Sequence, residues 1–219
     1  MSDHEDGRNH DDADDQGRGD ADDHGHSEGH DHGHDNADDH GHDNADDHGH
    51  DHHHHDVAEL GVAVLTISSS RSLDDDPAGD AIADIVEGAG HEVSMRELVR
   101  DEYDGVQDAI NRFVDRDDTD CVISTGGTGV TPDDVTVEAV DPLFDKRLPG
   151  FGELFRTLSY EDIGAKVVGT RAVAGVADEV PVFCLPGSEN AARLGTGDII
   201  VEEAPHLAGL ARTGEESEE

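Results

Sequence analysis

The chain has 219 residues, 55 of them acidic and 14 basic, for a formal charge of −41. So acidic a surface should repel nucleic acid and anionic membranes, which excludes charge-driven binding to either, and it should strain against itself in dilute salt. Lysine occurs only as Lys146 and Lys166; abundant Asp and Glu with so little Lys is expected of a salt-accumulating cytoplasm, where screening makes the charge tolerable.

Up to Asp56 the sequence is nearly free of apolar side chains and rich in histidine. The octet Gly33 to His40 recurs as Gly41 to His48, and the stretch closes on His52-His53-His54-His55. Residues 1–56 cannot bury enough apolar area to offset their ordering entropy, so a disordered tail is expected. Imidazoles beside carboxylates are ligands for Zn²⁺, Ni²⁺ or Co²⁺, and the tail, His52 to His55 included, is expected to bind such ions weakly at many sites. A merely solvated, salt-tolerant tail is the alternative.

Residues 57–219 have the size of one domain. Leu60 to Ile67 is a nearly continuous apolar run, as in a strand buried on both faces. A polar loop from Ser68 to Pro77 leads to a helix over 78–89 closed by Gly90. A second strand spans Glu92 to Val99. Asp104 is the expected N-cap of a helix with Val106, Ile110, Phe113 and Val114 on one stripe. Cys121 to Thr125 is the third strand, 135–140 a short helix, and 151–156 another. Residues 172–176 and 180–185 read as two strands joined by a turn at Asp178, after which Pro186-Gly187-Ser188 opens a helix. Alternating strands and helices predict an α/β fold with a three-layer, doubly wound, mostly parallel sheet. Cys121 and Cys184 sit in apolar runs and are expected to be buried thiols in a reducing compartment. No secretory leader and no run long enough to span a bilayer is present, so a soluble cytoplasmic protein is expected.

The most informative stretch follows the third strand: Thr125-Gly126-Gly127-Thr128-Gly129, then Asp133 and Asp134. A glycine-rich turn at a strand end lets backbone N–H groups approach an anion, and open α/β sheets bind ligands at that end. It is neither a Walker loop nor a dinucleotide fingerprint, since Gly-Lys-Ser/Thr and Gly-x-Gly-x-x-Gly are both missing. A purely structural turn is the competing reading. The Pro186-Gly187-Ser188 turn is a second place where N–H groups at a helix start can hold an anion.

These pieces, with Asp134-Val135-Thr136, Pro149-Gly150-Phe151-Gly152-Glu153, Phe155-Arg156, Leu158-Ser159, Ile163-Gly164, Arg171 to Ala177 and Leu185-Pro186-Gly187-Ser188, resemble the MoaB/Mog family of molybdenum-cofactor biosynthesis from about Glu59 to Leu210. The later motifs are more similar to the MoaB branch. The resemblance implies a homotrimer or homohexamer, a site for molybdopterin and nucleotide at the glycine loop, and work alongside other proteins of the pathway. For Mog-type members it implies adenylylation of molybdopterin by Mg-ATP with release of pyrophosphate; some MoaB-type members bind without that activity. By this resemblance Asp134 and Asp101 are the catalytic and Mg²⁺-holding carboxylates, with Glu102 a neighbour of Asp101. The same resemblance implies that Thr125, Gly126, Gly127, Thr128, Gly129, Gly150, Glu153, Arg156, Pro186, Gly187 and Ser188 contact nucleotide or molybdopterin.

Plainer roles stand beside these. Asp134 suits a helix N-cap, Asp101 a loop surface, and Glu153 with Arg156 an i, i+3 surface pair rather than a ligand cleft or subunit seam. Asp76-Pro77-Ala78-Gly79 resembles a loop that lies near the nucleotide in the family, and His91 and His206 are expected to be structural. Asp133 departs from the basic residue that Mog-type members carry before the aspartate. A carboxylate there repels a triphosphate unless a cation intervenes, which keeps a non-catalytic molybdopterin carrier as the second reading.

Overall fold

The computed structural model describes residues 56–212. The histidine tail, with His52 to His55, lies outside them. The strands are β1 (Gly61–Ile67), β2 (Glu92–Val99), β3 (Cys121–Thr125), β4 (Lys146–Arg147), β5 (Val173–Ala177) and β6 (Val180–Leu185). The helices are α1 (Pro77–Gly88), α2 (Tyr103–Val114), α3 (Thr136–Val140), α4 (Pro149–Ile163), α5 (Glu189–Gly195) and α6 (Val201–Arg212). One six-stranded sheet runs β2-β1-β3-β6-β5-β4. Its first four strands are parallel, while β5 pairs antiparallel with both β6 and β4.

Strand period two explains the three layers. Val62, Val64, Ile123, Phe183 and Leu185 face α1, α4, α5 and α6 in one apolar cluster. Ala63, Leu65, Ile67, Val122, Val182 and Cys184 face α2 and α3 in another. Covered on both sides, β3 and β6 are buried at every position. The Phe151 ring of α4 meets Phe183 of β6 edge-on at 5.2 Å, which fixes α4 against the sheet.

Several boundaries differ from expectation. Asp104 is not the N-cap of α2: Glu102 occupies that position without a side-chain bond, and Asp104 lies in the first turn, where its charge favours the helix's positive end. The helix expected to stop at Arg156 continues to Ile163, because Phe151, Phe155 and Ser159 keep a buried stripe going until Gly164 turns at positive φ. The strand β4 and the 3-10 turn Gly164–Gly169 carry no periodic signal of their own. Beyond Ser188 the helix expected there continues through a π-type segment, Thr196–Ile200, into α6. The β5–β6 turn is as expected, with Asp178 and Glu179 both at positive φ (48° and 64°), which matches the twist of a tight hairpin.

His91 and His206 have structural roles. The His91 Nδ1 accepts from Leu60 N–H at 3.3 Å. His206 Nδ1 lies 2.9 Å from Asp56 Oδ1, and Val57 N–H donates to Pro205 O, tying the start of the domain to α6. No helix among the described residues is long and apolar enough to cross a membrane.

Candidate functional site

The parallel strands β1, β3 and β6 end side by side, and their turns make the site. Gly126 leaves β3 at φ 108°, its N–H bonded to Leu185 O at 3.0 Å. A Cβ there would sit 2.1 Å from the Ile67 carbonyl oxygen, and one on Gly127 (φ 64°) 2.2 Å from Thr136 Oγ1. These two positions therefore require glycine for both conformation and room. Thr136, at the start of α3, locks the loop from behind: its hydroxyl donates to Gly126 O at 2.9 Å and its N–H to Gly127 O at 3.0 Å.

Thr125 is fully buried, and its hydroxyl donates to Pro186 O at 3.0 Å. It stitches the two turns together instead of offering its hydroxyl to a ligand. The turns touch: a Cβ on Gly187 would lie 3.2 Å from Gly126 Cα. At the turns opens a cleft of about 320 Å³ lined by Gly127, Thr128, Gly129, Asp134, Pro186 and Gly187, with Lys166, Gly169 and Thr170 from the segment before β5. Ser188 stands at the start of α5, where its Oγ accepts from Ala191 N–H at 3.2 Å.

Asp134 does not cap α3, whose N-cap position is Val135. Its Oδ2 accepts from Thr131 N–H (2.7 Å) and Thr131 Oγ1 (2.6 Å), which closes the loop into a compact turn. Burial pushes its pKa up, but the Thr131 and Gly129 hydrogen bonds and the nearby Arg171 charge outweigh that and hold it below the ordinary carboxylate value. Asp134 is therefore an anion at neutral pH, and a hard oxygen donor at the cleft edge.

Arg171, just before β5, is a residue to which the sequence assigns no role. Its Nε donates to Gly129 O at 2.6 Å and one Nη to Asp134 O at 3.0 Å. The fork also pairs with Glu138, and its backbone N–H donates to Thr128 O at 3.2 Å. One guanidinium thus fixes both ends of the turn that carries Asp134. The signal available in sequence was Arg171 at the head of an apolar strand, where an unpaired cation is costly.

Asp101 stands apart. It follows β2, its N–H donates to Ser69 Oγ at 3.3 Å, and it does not line the cleft that Asp134 lines. Since β1 lies between β2 and β3, two strand spacings, about 10 Å, separate their ends. Asp76 is buried at 1 % exposure and taken up by the fold, capping α1 through Gly79 N–H and accepting from Thr66 Oγ1 at 2.5 Å. Glu153 and Arg156 form no ion pair with each other among the described residues; both line a neighbouring cleft of about 460 Å³ with Gly152, Thr170 and Arg171. Gly150 is exposed in the first turn of α4 and lines none of these clefts.

Among the described residues no three His, Cys, Asp or Glu side chains converge on a metal-sized point. Mg²⁺ usually takes one or two carboxylates and completes its shell with water and phosphate oxygens, and Asp134 beside an open cleft fits that pattern.

The glycine turn and the acidic loop lie at the carboxyl edge of a doubly wound sheet, the edge at which open α/β proteins take their ligands. A family model described as a probable molybdopterin binding domain matches residues 63–206. The chain is 43% identical over 145 residues to molybdenum cofactor biosynthesis protein B of Bacillus subtilis, covering 66% of this chain and 85% of that protein. Against the Escherichia coli K12 protein of the same name it is 40% identical over 151 residues, covering 69% and 87%. The crystal structure of the tungsten cofactor synthesizing protein MoaB from Pyrococcus furiosus superposes with a TM-score of 0.64 at 37% identity, covering 71% and 99%. The Mog protein of Mycobacterium ulcerans gives 0.63 at 26%, covering 69% and 99%. The chain belongs to the MoaB/Mog family.

Proposed function

We propose that this chain acts in molybdenum- or tungsten-cofactor biosynthesis, binding molybdopterin and adenylylating it with Mg-ATP. The observation that carries the reading is the cleft at two touching turns, with Asp134 held ionised at its rim. In the transfer, a phosphate oxygen of molybdopterin attacks the α-phosphorus of ATP, the bond to the β-phosphate breaks, and pyrophosphate leaves. Such chemistry needs placement and charge neutralisation more than covalent help. Backbone N–H groups of Gly127 to Gly129 cradle phosphate, and those of Gly187 and Ser188 take the second anion. Asp134 would hold Mg²⁺, which neutralises the triphosphate when bound. Asp101, on the β2 side, suits the distal part of a ligand spanning the sheet edge.

Family membership and the relatives' names support the pathway, and the exposed Leu154, Tyr160 and Ile163 of α4, with Val168 beyond it, support self-association, for which the family resemblance implies a homotrimer or homohexamer. The test is pyrophosphate release by the full chain given molybdopterin and Mg-ATP in about 2 M KCl, where charge is screened within a few ångströms. Asp134→Ala, still folded and oligomeric, should lose about 100-fold or more in turnover, as when a transition-state charge partner is removed; unchanged turnover sinks the reading. Asp133, exposed beside Asp134, favours the second reading of a molybdopterin carrier. Tight molybdopterin binding without pyrophosphate release would select it. The tail's histidines support weak Zn²⁺ or Ni²⁺ binding, which deletion of residues 1–56 should remove while leaving pyrophosphate release intact.

A further inference from the structure

Positive charge is scarce in this chain, and carboxylates consume most of it. Among the described residues most arginines lie within ion-pair distance of an Asp or Glu, from Arg71 and Arg96 near the buried Asp76 to Arg212 with Asp120. Lys166 does not: no ion pair or hydrogen bond engages its side chain among the described residues. It sits in the 3-10 turn Gly164–Gly169 that follows α4, and it lines the same cleft as Gly127, Gly129 and Gly187.

The cleft needs a cation. Asp134 is ionised at its rim and Asp133 stands exposed beside it, so the protein part of the entrance is anionic. Arg171 cannot supply the charge, because Gly129 O, Asp134 O and Glu138 already occupy its guanidinium. Arg156 lines the neighbouring cleft rather than this one. An unpaired ammonium on a flexible stem is a mobile point charge, suited to following a phosphate chain whose position shifts on binding.

We propose that Lys166 is the phosphate-contacting cation of this cleft, lining it together with the glycine loop to receive the polyphosphate chain of a nucleotide. This rests on the reading of the cleft as a nucleotide site and is independent of whether transfer follows.

The experiment is titration calorimetry of the full chain with inorganic tripolyphosphate and Mg²⁺ in about 2 M KCl, where only contact charges persist. Lys166→Ala should weaken binding about tenfold, the loss of one charge-assisted hydrogen bond, and Lys166→Arg should restore most of it. Lys146→Ala removes the same charge from the edge strand β4 and should change nothing. A Lys166→Ala protein that binds like wild type, an equal effect at Lys146, or a wild-type chain that does not bind tripolyphosphate each overturns the inference. Tripolyphosphate binding through Lys166 in a protein that releases no pyrophosphate would reject the transferase reading and leave Lys166 in place. Where turnover occurs, Lys166→Ala should raise the KM for ATP more than it lowers kcat.

Discussion

Replacing Arg171 by alanine should loosen the site loop and the domain together. The side chain holds Gly129 O at 2.6 Å and Asp134 O at 3.0 Å. Each bond comes from a charged donor, a class that contributes about 1.5–3 kcal/mol. The Glu138 pair adds little, about 0–1 kcal/mol, because Glu138 is half exposed and the pair is screened. Water replaces part of what is lost, since Arg171 itself is about one-third exposed. The expected cost is therefore about 2–4 kcal/mol. In urea unfolding at fixed molar KCl, with a slope of about 2 kcal/mol/M, the midpoint should fall by about 1–2 M. Hydrogen exchange at Thr131, whose N–H is held by Asp134, should quicken by more than exchange at Val122 in the centre of β3. Arg171→Lys keeps the charge but not the planar fork, so it should lie between wild type and alanine. A loss below about 0.5 kcal/mol, or a lysine variant equal to wild type, refutes the clamp.

Gly126→Ala and Gly127→Ala should each cost more than about 3 kcal/mol or prevent folding, because positive φ and a backbone or hydroxyl clash near 2 Å act together; near-wild-type unfolding midpoints would contradict this. Gly150→Ala, in open space at the start of α4, should be neutral or stabilising by up to about 1 kcal/mol in the same assay. Asp134 has a lowered folded-state pKa, so its contribution is present above the ordinary aspartate value of about 3.9 and fades as pH falls through the folded value. The stability gap between wild type and Asp134→Asn should hold constant above about pH 5 and narrow only below about pH 4; narrowing near pH 6 would contradict the assignment. In dilute buffer the acidic domain should expand, and circular dichroism and size-exclusion volume should recover between about 0.1 and 2 M KCl; salt-independent profiles would oppose that.

The sheet was legible because buried strands announce themselves. Leu60 to Ile67 and Val180 to Leu185 are apolar almost without a break, and both are central strands. The glycine loop was legible as a tight turn at a strand end, where Gly126 and Gly127 do stand at positive φ. Lost were features set by tertiary partners. A two-residue strand such as β4 has no period to read, and α4 ran on because its stripe had sheet to cover. Thr125 looked like a ligand hydroxyl, yet its acceptor is a carbonyl sixty-one residues away in the second turn. Arg171 showed only as a cation heading an apolar strand within a matched stretch, because its partners, in the glycine loop and α3, lie more than thirty residues earlier.

The two cysteines carry a practical consequence. Cys121 and Cys184 are wholly buried in adjacent central strands, β3 and β6. Burial pushes both thiols up, Cys184 to about 12 against a weaker opposing bond from Ser124. At neutral pH both therefore stay protonated, and an alkylating reagent should reach either sulfur only when the middle of the sheet comes apart. The rate at which a maleimide consumes them therefore times the opening of the strands that carry the site loops. The wild-type chain holds its own clock for unfolding, with no dye or engineered label added.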